Sequence, residues 1–199
     1  FIKSKKVDKE LNLKKKKKIS IPMYSGKDLL NACDNGDLEI IMKCIEQDGV
    51  NIEYKSTNGV TGLMYACRHG YESIVNYLLK KDANVNHSNK FGWTSLMWAS
   101  RSGYNSIVNL LISSGANVNC INNDHWTALM SASQKGYETI VKLLLKADAK
   151  VNHSNKIGQT ALILAAYNGN VDCVNTLIEY EADIFKQICK SNHTFKKDD

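Results

Sequence analysis

The chain has 199 residues, of which 43% are hydrophobic and one is proline, a composition that supplies a packed core and excludes collagen-like, polyproline and wholly disordered chains. Its formal charge is +6, but residues 1–25 hold nine lysines and two acidic residues, which leaves 17 basic and 18 acidic groups in residues 26–199. This nearly neutral body argues against a nucleic-acid-binding face, which requires clustered basic groups.

The N-terminal segment, residues 1–25, is rich in lysine and includes the run from Lys14 to Lys18. It lacks the apolar stretch of a signal peptide, and no stretch of the chain reaches the ~18 apolar residues of a membrane span, so we expect an intracellular protein, cytoplasmic or nuclear. The run could serve as a nuclear-import signal, an acidic-lipid contact or a nucleic-acid tether. We favour a solvated flexible tail, because lysine-rich runs are usually solvated.

From residue 59 onward the sequence repeats with a period of 33 residues. Five positions recur at that interval, and they hold threonine, leucine, alanine, glycine and a second leucine in a fixed order. The threonines are Thr61, Thr94, Thr127 and Thr160, and the first leucines are Leu63, Leu96, Leu129 and Leu162. A fixed period of this length predicts a solenoid of stacked units rather than one globular core.

Each unit has the pattern of two short helices joined by a turn. Thr61 and its counterparts lie where a hydroxyl can cap the first helix, and Gly70 and its counterparts lie where a left-handed residue can end it. The second helix has an apolar stripe at helical spacing, for example Ile74, Val75 and Leu78. Neither helix can bury its apolar residues alone, so the fold requires packing between successive units.

The segments from Gly59 to Ala66 and from Gly92 to Ala99 resemble the T-P-L-H-x-A signature of the ankyrin-repeat family. The resemblance implies an all-α solenoid of stacked helix-turn-helix units with short β-hairpin fingers. It places the repeat domain at 26–185, with repeats at about 26–57, 58–90, 91–123, 124–156 and 157–185, the first and last as capping repeats. Residues 1–25 form the tail before it, and residues 186–199 form a C-terminal extension that we expect to fray.

Several positions depart from the family pattern. Met64 and its counterparts replace the signature histidine, so we expect thioether and aliphatic packing there. His125 stands where a finger has glycine, and we expect that finger to bend differently. One extra residue near Asp48 in the first unit is expected to lengthen a loop. The segment from Asn84 to Asn86 resembles the hairpin strand of the family.

The cysteines and histidines raise the question of a disulfide, a metal site or a nucleophile. Cys33 and Cys67 share one register in adjacent units, where stacked helices ~8–10 Å apart exceed the ~7 Å that a disulfide tolerates between Cα atoms. His87 and His153 are two units apart, too far to share one zinc ion. The sequence has no hydrolase, phosphate-binding or metalloprotease motif. We therefore expect free thiols, no metal or other cofactor, and no enzymatic activity.

In the ankyrin family the binding surface is the concave face, which finger tips and inner helices line. Carried onto this chain by the resemblance, that surface includes all three tryptophans and both arginines. The residues assigned to partner binding are Tyr65, Arg68, His69, Lys90, Phe91, Trp93, Trp98, Arg101, Trp126, Gln134 and Lys135. Trp, Tyr and Arg are the residue types that most often dominate interface energies.

Within this surface, Tyr65 and Arg68 of the second repeat and Trp98 and Arg101 of the third are expected to form a two-by-two aromatic and cationic patch. The patch suits a protein or peptide that presents carboxylates beside an apolar anchor. These features predict a monomeric, non-enzymatic protein-interaction module that binds through the concave face of repeats two to four.

Two alternatives remain open. The chain could be an ankyrin segment that presents substrate within a larger acyltransferase, kinase or methyltransferase, because one fold serves many functions. The pair Trp93 and Trp98 is also similar to the tryptophan cage of certain histone methyltransferase ankyrin repeats, which binds methylated lysine by cation–π attraction. That resemblance is incomplete, since Arg101 replaces an acidic residue of the cage and Ser131 replaces a third tryptophan.

Overall fold

The computed structural model describes residues 23–185, so the lysine run and residues 186–199 lie outside the described residues. Within residues 23–185, ten α-helices follow one another in five pairs. The first helices are α1 (Gly26–Asn35), α3 (Gly62–His69), α5 (Ser95–Ser102), α7 (Ala128–Lys135) and α9 (Ala161–Tyr167). The second helices are α2 (Leu38–Met42), α4 (Glu72–Lys80), α6 (Asn105–Ser113), α8 (Glu138–Lys146) and α10 (Val171–Glu179).

Contacts between helices run from each pair to the next. The first helices pack on one another in a row, each second helix packs on the first helix of its own pair, and from α4 onward the second helices also pack on one another. This is the predicted stack of units. None of the described helices is long and apolar enough to cross a membrane.

The predicted ends of the first helices are confirmed, with one exception. Four threonine hydroxyls accept a hydrogen bond of 3.1–3.4 Å from the backbone N–H three residues later; they belong to Thr61, Thr94, Thr127 and Thr160. Left-handed glycines end α3, α5 and α7, at Gly70, Gly103 and Gly136. In the fifth unit the helix ends one residue earlier, and the Asn168 side chain donates to the Leu164 carbonyl at 2.7 Å.

One continuous apolar core runs through all five pairs. The leucines of the second helices are at most 1% exposed; they are Leu78, Leu111, Leu144 and Leu177. The methionines that stand in the signature position are also buried, each 1% exposed, at Met64, Met97 and Met130. Thioether and aliphatic side chains therefore pack at these positions. A buried polar pair in their place would need hydrogen-bond partners inside the core.

The extra residue of the first unit lies within a helix, and the expectation of a longer loop is wrong. Helix α2 continues into a π-helical turn at Lys43–Gln47, so the helical segment is one residue longer than the nine-residue α4. A π-turn takes up an added residue while the helix keeps its buried side. Ile41 and Cys44, on either side of the junction, both remain 0% exposed.

The fingers are hairpins joined by isolated β-bridges. These bridges pair Lys55 with Thr61, Ser88 with Thr94 and Ser154 with Thr160. The expected strand at Asn84–Asn86 is wrong, because those residues belong to a turn. Asn84 Oδ1 accepts a 2.9 Å hydrogen bond from the Asn86 backbone N–H, and this side-chain contact satisfies the backbone locally in place of a strand partner.

The finger that contains His125 keeps its turn but has no bridge within the described residues. His125 has a φ of 60°, in the same left-handed region as Gly92, whose φ is 77°. Its backbone N–H donates to the Asn122 carbonyl at 2.9 Å, as a finger glycine does. The expected difference of this finger is therefore limited to the loss of the bridge.

Asparagine side chains connect consecutive units outside the core. Asn86, Asn119 and Asn152 recur every 33 residues, and the Oδ1 atom of each accepts a 2.7–2.8 Å hydrogen bond from the backbone N–H 31 residues later. The amide nitrogen donates in turn to a carbonyl of the next unit, for example from Asn86 to Gly115 at 3.0 Å. Each amide thus uses its acceptor and a donor to fix the spacing between two units.

The outer face of the fifth pair is apolar. Val174 is half-buried, whereas Val141, at the same register one unit earlier, is 0% exposed. Ile178 is 48% exposed, whereas its counterpart Leu145 is 6% exposed. The residue types are those of an internal unit, so the difference in burial comes from the neighbouring unit that covers Val141 and Leu145.

A glycine at the start of α3 lies directly against a cysteine of the preceding unit. A Cβ atom at Gly62 would lie 2.7 Å from the buried Sγ of Cys33. The backbone of α3 does not itself demand glycine, because its conformation is helical. The size of residue 62 is therefore set by the neighbouring unit.

Leu111→Ala should lower the free energy of unfolding by about 2–5 kcal/mol, because Leu111 is 0% exposed and its truncation leaves a cavity between units. Urea denaturation followed by circular dichroism measures this change. Leu110→Ala, at a half-buried position of the same helix, is the control and should have the smaller effect. Equal midpoints for wild type and Leu111→Ala would contradict the assigned register.

Gly62→Ala should destabilise the protein by about 1–3 kcal/mol through overpacking against Cys33, although alanine is normally the better helix former. Adding Cys33→Ala should remove most of this penalty, since the small side chain leaves room for the new methyl group. The double-mutant cycle, measured by denaturation, should therefore be strongly non-additive. Additive effects would show that the two positions do not meet.

Candidate functional site

The first helices and the fingers line one face of the solenoid, here called the groove face. Helices α3, α5 and α7 contain no acidic residue, and their basic residues are Arg68, His69, Arg101 and Lys135. The acidic residues of the same units include Glu72 and Glu138, which begin second helices. These three inner helices are therefore cationic, although residues 26–199 are nearly neutral as a whole.

Two tryptophans and two arginines form a stack on the groove face. The rings of Trp93 and Trp98 have centroids 4.5 Å apart and an interplanar angle of 29°. Arg68 Cζ lies 5.3 Å from the Trp98 ring centroid, and Arg101 Cζ lies 5.6 Å from that of Trp93. Each indole ring thus contacts the other ring and one guanidinium, at distances that give aromatic and cation–π attraction.

Three segments of the chain position this stack. Arg68 lies in the last turn of α3, and Trp98 and Arg101 lie nearly one turn apart on α5. Trp93 comes from the finger that precedes α5, where its backbone N–H donates to Asn89 Oδ1 at 3.0 Å. Asn89 is only 8% exposed, so a buried amide holds the finger residue in place over the helix.

The observed stack differs from the expected two-by-two patch. Each arginine was expected to accompany the aromatic residue of its own helix, but Arg68 contacts Trp98 of the following unit. Trp93, from the finger that precedes α5, completes the cluster by stacking on Trp98. Tyr65 lies beside the stack, half-buried, and lines a cavity of about 290 Å³ together with Arg68 and Trp98.

A second cavity, of about 430 Å³, lies between the first two units. Its lining includes Lys27 and Leu30 of α1, Tyr54 and Lys55 of the finger, and Tyr65 of α3. The residues assigned to the groove from the sequence do not include Lys27, Leu30, Tyr54 or Lys55, because the resemblance supplies groove positions only from the second repeat onward. The repeat register could have pointed to this part of the groove. Asn31 precedes Ala32 in the first unit as Tyr65 precedes Ala66 in the second, so the two positions correspond once the residue added in the first unit is allowed for.

His69 is engaged at the junction of the first two units. Its Nε2 atom lies 2.8 Å from Asp34 Oδ1, and its ring stacks on Tyr71 with centroids 5.7 Å apart. Both members of the His69–Asp34 pair are exposed. This contact links α3 to α1, so His69 has a structural role in addition to its place on the groove face.

The remaining assigned residues are spread along the face. Phe91 is 55% exposed at a finger tip, next to Lys90, whose backbone N–H donates to the Asn58 carbonyl at 3.0 Å. Gln134 is half-buried and Lys135 is exposed at the end of α7. Trp126 lines a separate cavity of about 210 Å³ with Lys156 and Ile157 of the next finger, among other residues. The structure therefore does not bring Trp126 into the stack.

The arrangement of Trp93 and Trp98 does not have the geometry of a methyl-lysine cage. In a cage the ring faces are open toward the ammonium group. Here the two rings face each other at 4.5 Å, and guanidinium groups already occupy cation positions on them. A methylated lysine would have to displace Arg68 or Arg101, so the stack gives no support to that alternative.

The described cysteines are free thiols with weak nucleophilic character. Burial, together with smaller contributions from the nearby Cys44 and Asp34, raises the pKa of Cys33 to about 12. Burial also raises the pKa of Cys67, and it raises that of Cys173 to about 11. The thiolate is the reactive form, so these groups are poorly suited to nucleophilic chemistry near neutral pH.

His87 and His153 have equivalent roles in two fingers. The Nε2 atom of His87 lies 3.0 Å from the Gly59 carbonyl, and that of His153 lies 3.0 Å from the His125 carbonyl. Each ring therefore bonds to the backbone of the preceding finger. The two histidines therefore recur in the sequence because they make the same hydrogen bond between neighbouring fingers.

Comparison with known proteins supports the repeat assignment. A family model described as ankyrin repeats (three copies) matches residues 29–122 and 107–188. Together these matches extend over most of the chain. A search of curated proteins gives no match.

Alkylation of the folded protein with iodoacetamide at pH about 8 should be slowest at Cys33 and Cys67, because both are 0% exposed and have raised pKa values. Cys120, which is half-buried, should react first among the cysteines of residues 23–185. Peptide mass spectrometry at successive times measures the order, and labelling in urea is the control. Labelling of Cys33 as fast as that of Cys120 would contradict the assigned burial.

Proposed function

Because the chain belongs to the ankyrin-repeat family, whose repeats are protein-interaction modules on a generally non-catalytic fold, we propose that it binds a protein or peptide through the groove face of its second to fourth units. In this proposal the chain is a non-enzymatic module. The surface comprises the assigned groove residues, with the stack at its centre.

The stack of Arg68, Trp98, Trp93 and Arg101 is the observation that carries the proposal. Both arginines are exposed and both tryptophans are only half-buried, so a partner can reach all four side chains. Their mutual contacts restrict the rotamers before binding, which lowers the entropy lost when a partner docks. Large aromatic and arginine side chains held in this way are typical of interface hot spots.

The chemistry of the groove face favours an acidic partner with an apolar anchor. Within residues 23–185 no carboxylate oxygen lies within 4.0 Å of the Arg68 or Arg101 side-chain nitrogens, so both guanidiniums are available for partner carboxylates. The cavity of about 290 Å³ beside Trp98 has room for an apolar side chain. Lys90 and Lys135 add positive charge along the same face.

Replacing Trp98 and Arg101 together with alanine should weaken partner binding by about 2 kcal/mol, since it removes one ring and one guanidinium of the stack. The partner is first identified by affinity purification with the full chain and mass spectrometry. Its affinity for wild type and variant is then measured by calorimetry with purified proteins. A matched control is Glu72→Ala with Asn109→Ala, which removes side chains from the second helices.

The melting temperature of the Trp98→Ala/Arg101→Ala variant separates binding from folding. Trp98 is half-buried and stacks on Trp93, so we expect a fall of a few degrees, well below that of Leu111→Ala. Unchanged affinity for the identified partner would refute binding at the stack. A fall as large as that of Leu111→Ala would show that Trp98 belongs to the core.

A further inference from the structure

The cavity between the first two units has a preformed aromatic wall. A Cβ atom at Gly26 would lie 2.2 Å from the Tyr54 ring, so the ring rests directly on the backbone at the start of α1. Glycine is required there by the ring and not by a left-handed backbone, because residue 26 is the first residue of a helix. Tyr54 is 43% exposed, and its outer surface faces the cavity that it lines.

The same cavity is lined by two lysines, neither of which forms a close ion pair with a described residue. Lys27 and Lys55 are exposed lining residues, and within residues 23–185 no carboxylate oxygen lies within 4.0 Å of either ammonium group. The neighbouring Asp28 carboxylate accepts hydrogen bonds from the Ser25 hydroxyl and backbone N–H, at 2.6 and 2.8 Å. Asp34 is the acidic residue of the lining, and it contacts His69.

The two cavities are parts of one groove. Tyr65, Ser56 and Thr57 line both, so Tyr65 separates the lysine side of the groove from the stack side. An extended peptide that contacts Trp98 can therefore continue past Tyr65 into the cavity of the first unit. Positive charge follows the whole path, from Lys27 and Lys55 to the arginines of the stack.

We propose that the cavity lined by Lys27, Tyr54, Lys55 and Tyr65 is a second subsite of the groove, which takes an apolar side chain of a bound peptide together with an adjacent carboxylate. This inference rests on the proposed function, because the peptide is the one that reaches the stack. Leu30 and the two tyrosine rings supply apolar surface, and the two ammonium groups supply donors for the carboxylate. The partner is thus a protein segment with at least two acidic and apolar clusters in extended conformation.

The test is selection of random peptides of about 12 residues, displayed on phage, against the full chain. We expect the selected peptides to be rich in Glu or Asp next to Leu, Ile, Phe or Tyr. A synthetic copy of the most enriched peptide and a copy with every Glu and Asp changed to Gln and Asn are then titrated by fluorescence anisotropy. The amidated copy should bind at least about tenfold more weakly than the acidic copy. The affinity of the acidic copy should fall as the NaCl concentration is raised.

Charge reversal of the cavity identifies the subsite. Lys27→Glu with Lys55→Glu should weaken the acidic peptide about tenfold, because two attractive contacts become repulsive. Lys80→Glu with Lys146→Glu, which makes the same change of net charge on second helices, is the matched control and should change the affinity less than about twofold. Gly26→Ala should also weaken binding, without any change of charge, because it displaces the Tyr54 ring.

The outcomes separate this subsite from the proposed function. If Trp98→Ala/Arg101→Ala abolishes binding of the selected peptide while Lys27→Glu/Lys55→Glu leaves it unchanged, the groove stands and the subsite is refuted. If the selected peptides show no acidic preference, the subsite is refuted as well. If neither pair of changes affects binding, both the subsite and the proposed function fail.

Discussion

Packing between consecutive units is the interaction on which the rest of this structure depends. First helices of seven to ten residues are too short to bury an apolar face alone, so each unit is stable only against its neighbours. The fit is close at several registers. A Cβ atom at Gly70 would lie 2.5 Å from the ring of Tyr104 in the next unit, so this glycine both ends a helix and makes room for a neighbour. Amide side chains such as Asn86 fix the same spacing outside the core.

The same stacking gives the groove face its character. The recurring leucines and alanines are buried in the core, whereas the groove is lined by positions that vary between units together with the recurring Arg68 and Arg101. Trp98 is an example: its counterpart in the preceding unit is Tyr65, and in the following unit it is the buried Ser131, whose hydroxyl donates to the Thr127 carbonyl at 3.2 Å. The tryptophan and arginine stack therefore forms at one junction only among the described units, although the backbone there is the same as elsewhere.

The acidic residues are also distributed unequally between the first and second helices. First helices α3, α5, α7 and α9 carry no acidic residue, while second helices begin or end with several. Acidic residues near helix N-termini, such as Glu72 and Glu138, are favoured there by the helix dipole. A chain whose repeat region is almost neutral can in this way present a cationic face, which its net charge does not reveal.

The period, the helix pairs, the capping threonines and the buried leucine register can all be predicted from the sequence, because each depends on local chemistry repeated every 33 residues. The sequence also predicts that the tryptophans and arginines lie on the groove face. The contacts among the groove residues follow from the fold: Arg68 contacts Trp98 of the next unit, and Tyr54 rests on Gly26, which are pairs of residues 30 and 28 positions apart. The sequence shows the added residue near Asp48, but not that a π-turn at Lys43–Gln47 takes it up. Helix spacing, packing volume and the fit of one unit on another set these features, and they depend on three-dimensional proximity that a linear pattern does not encode.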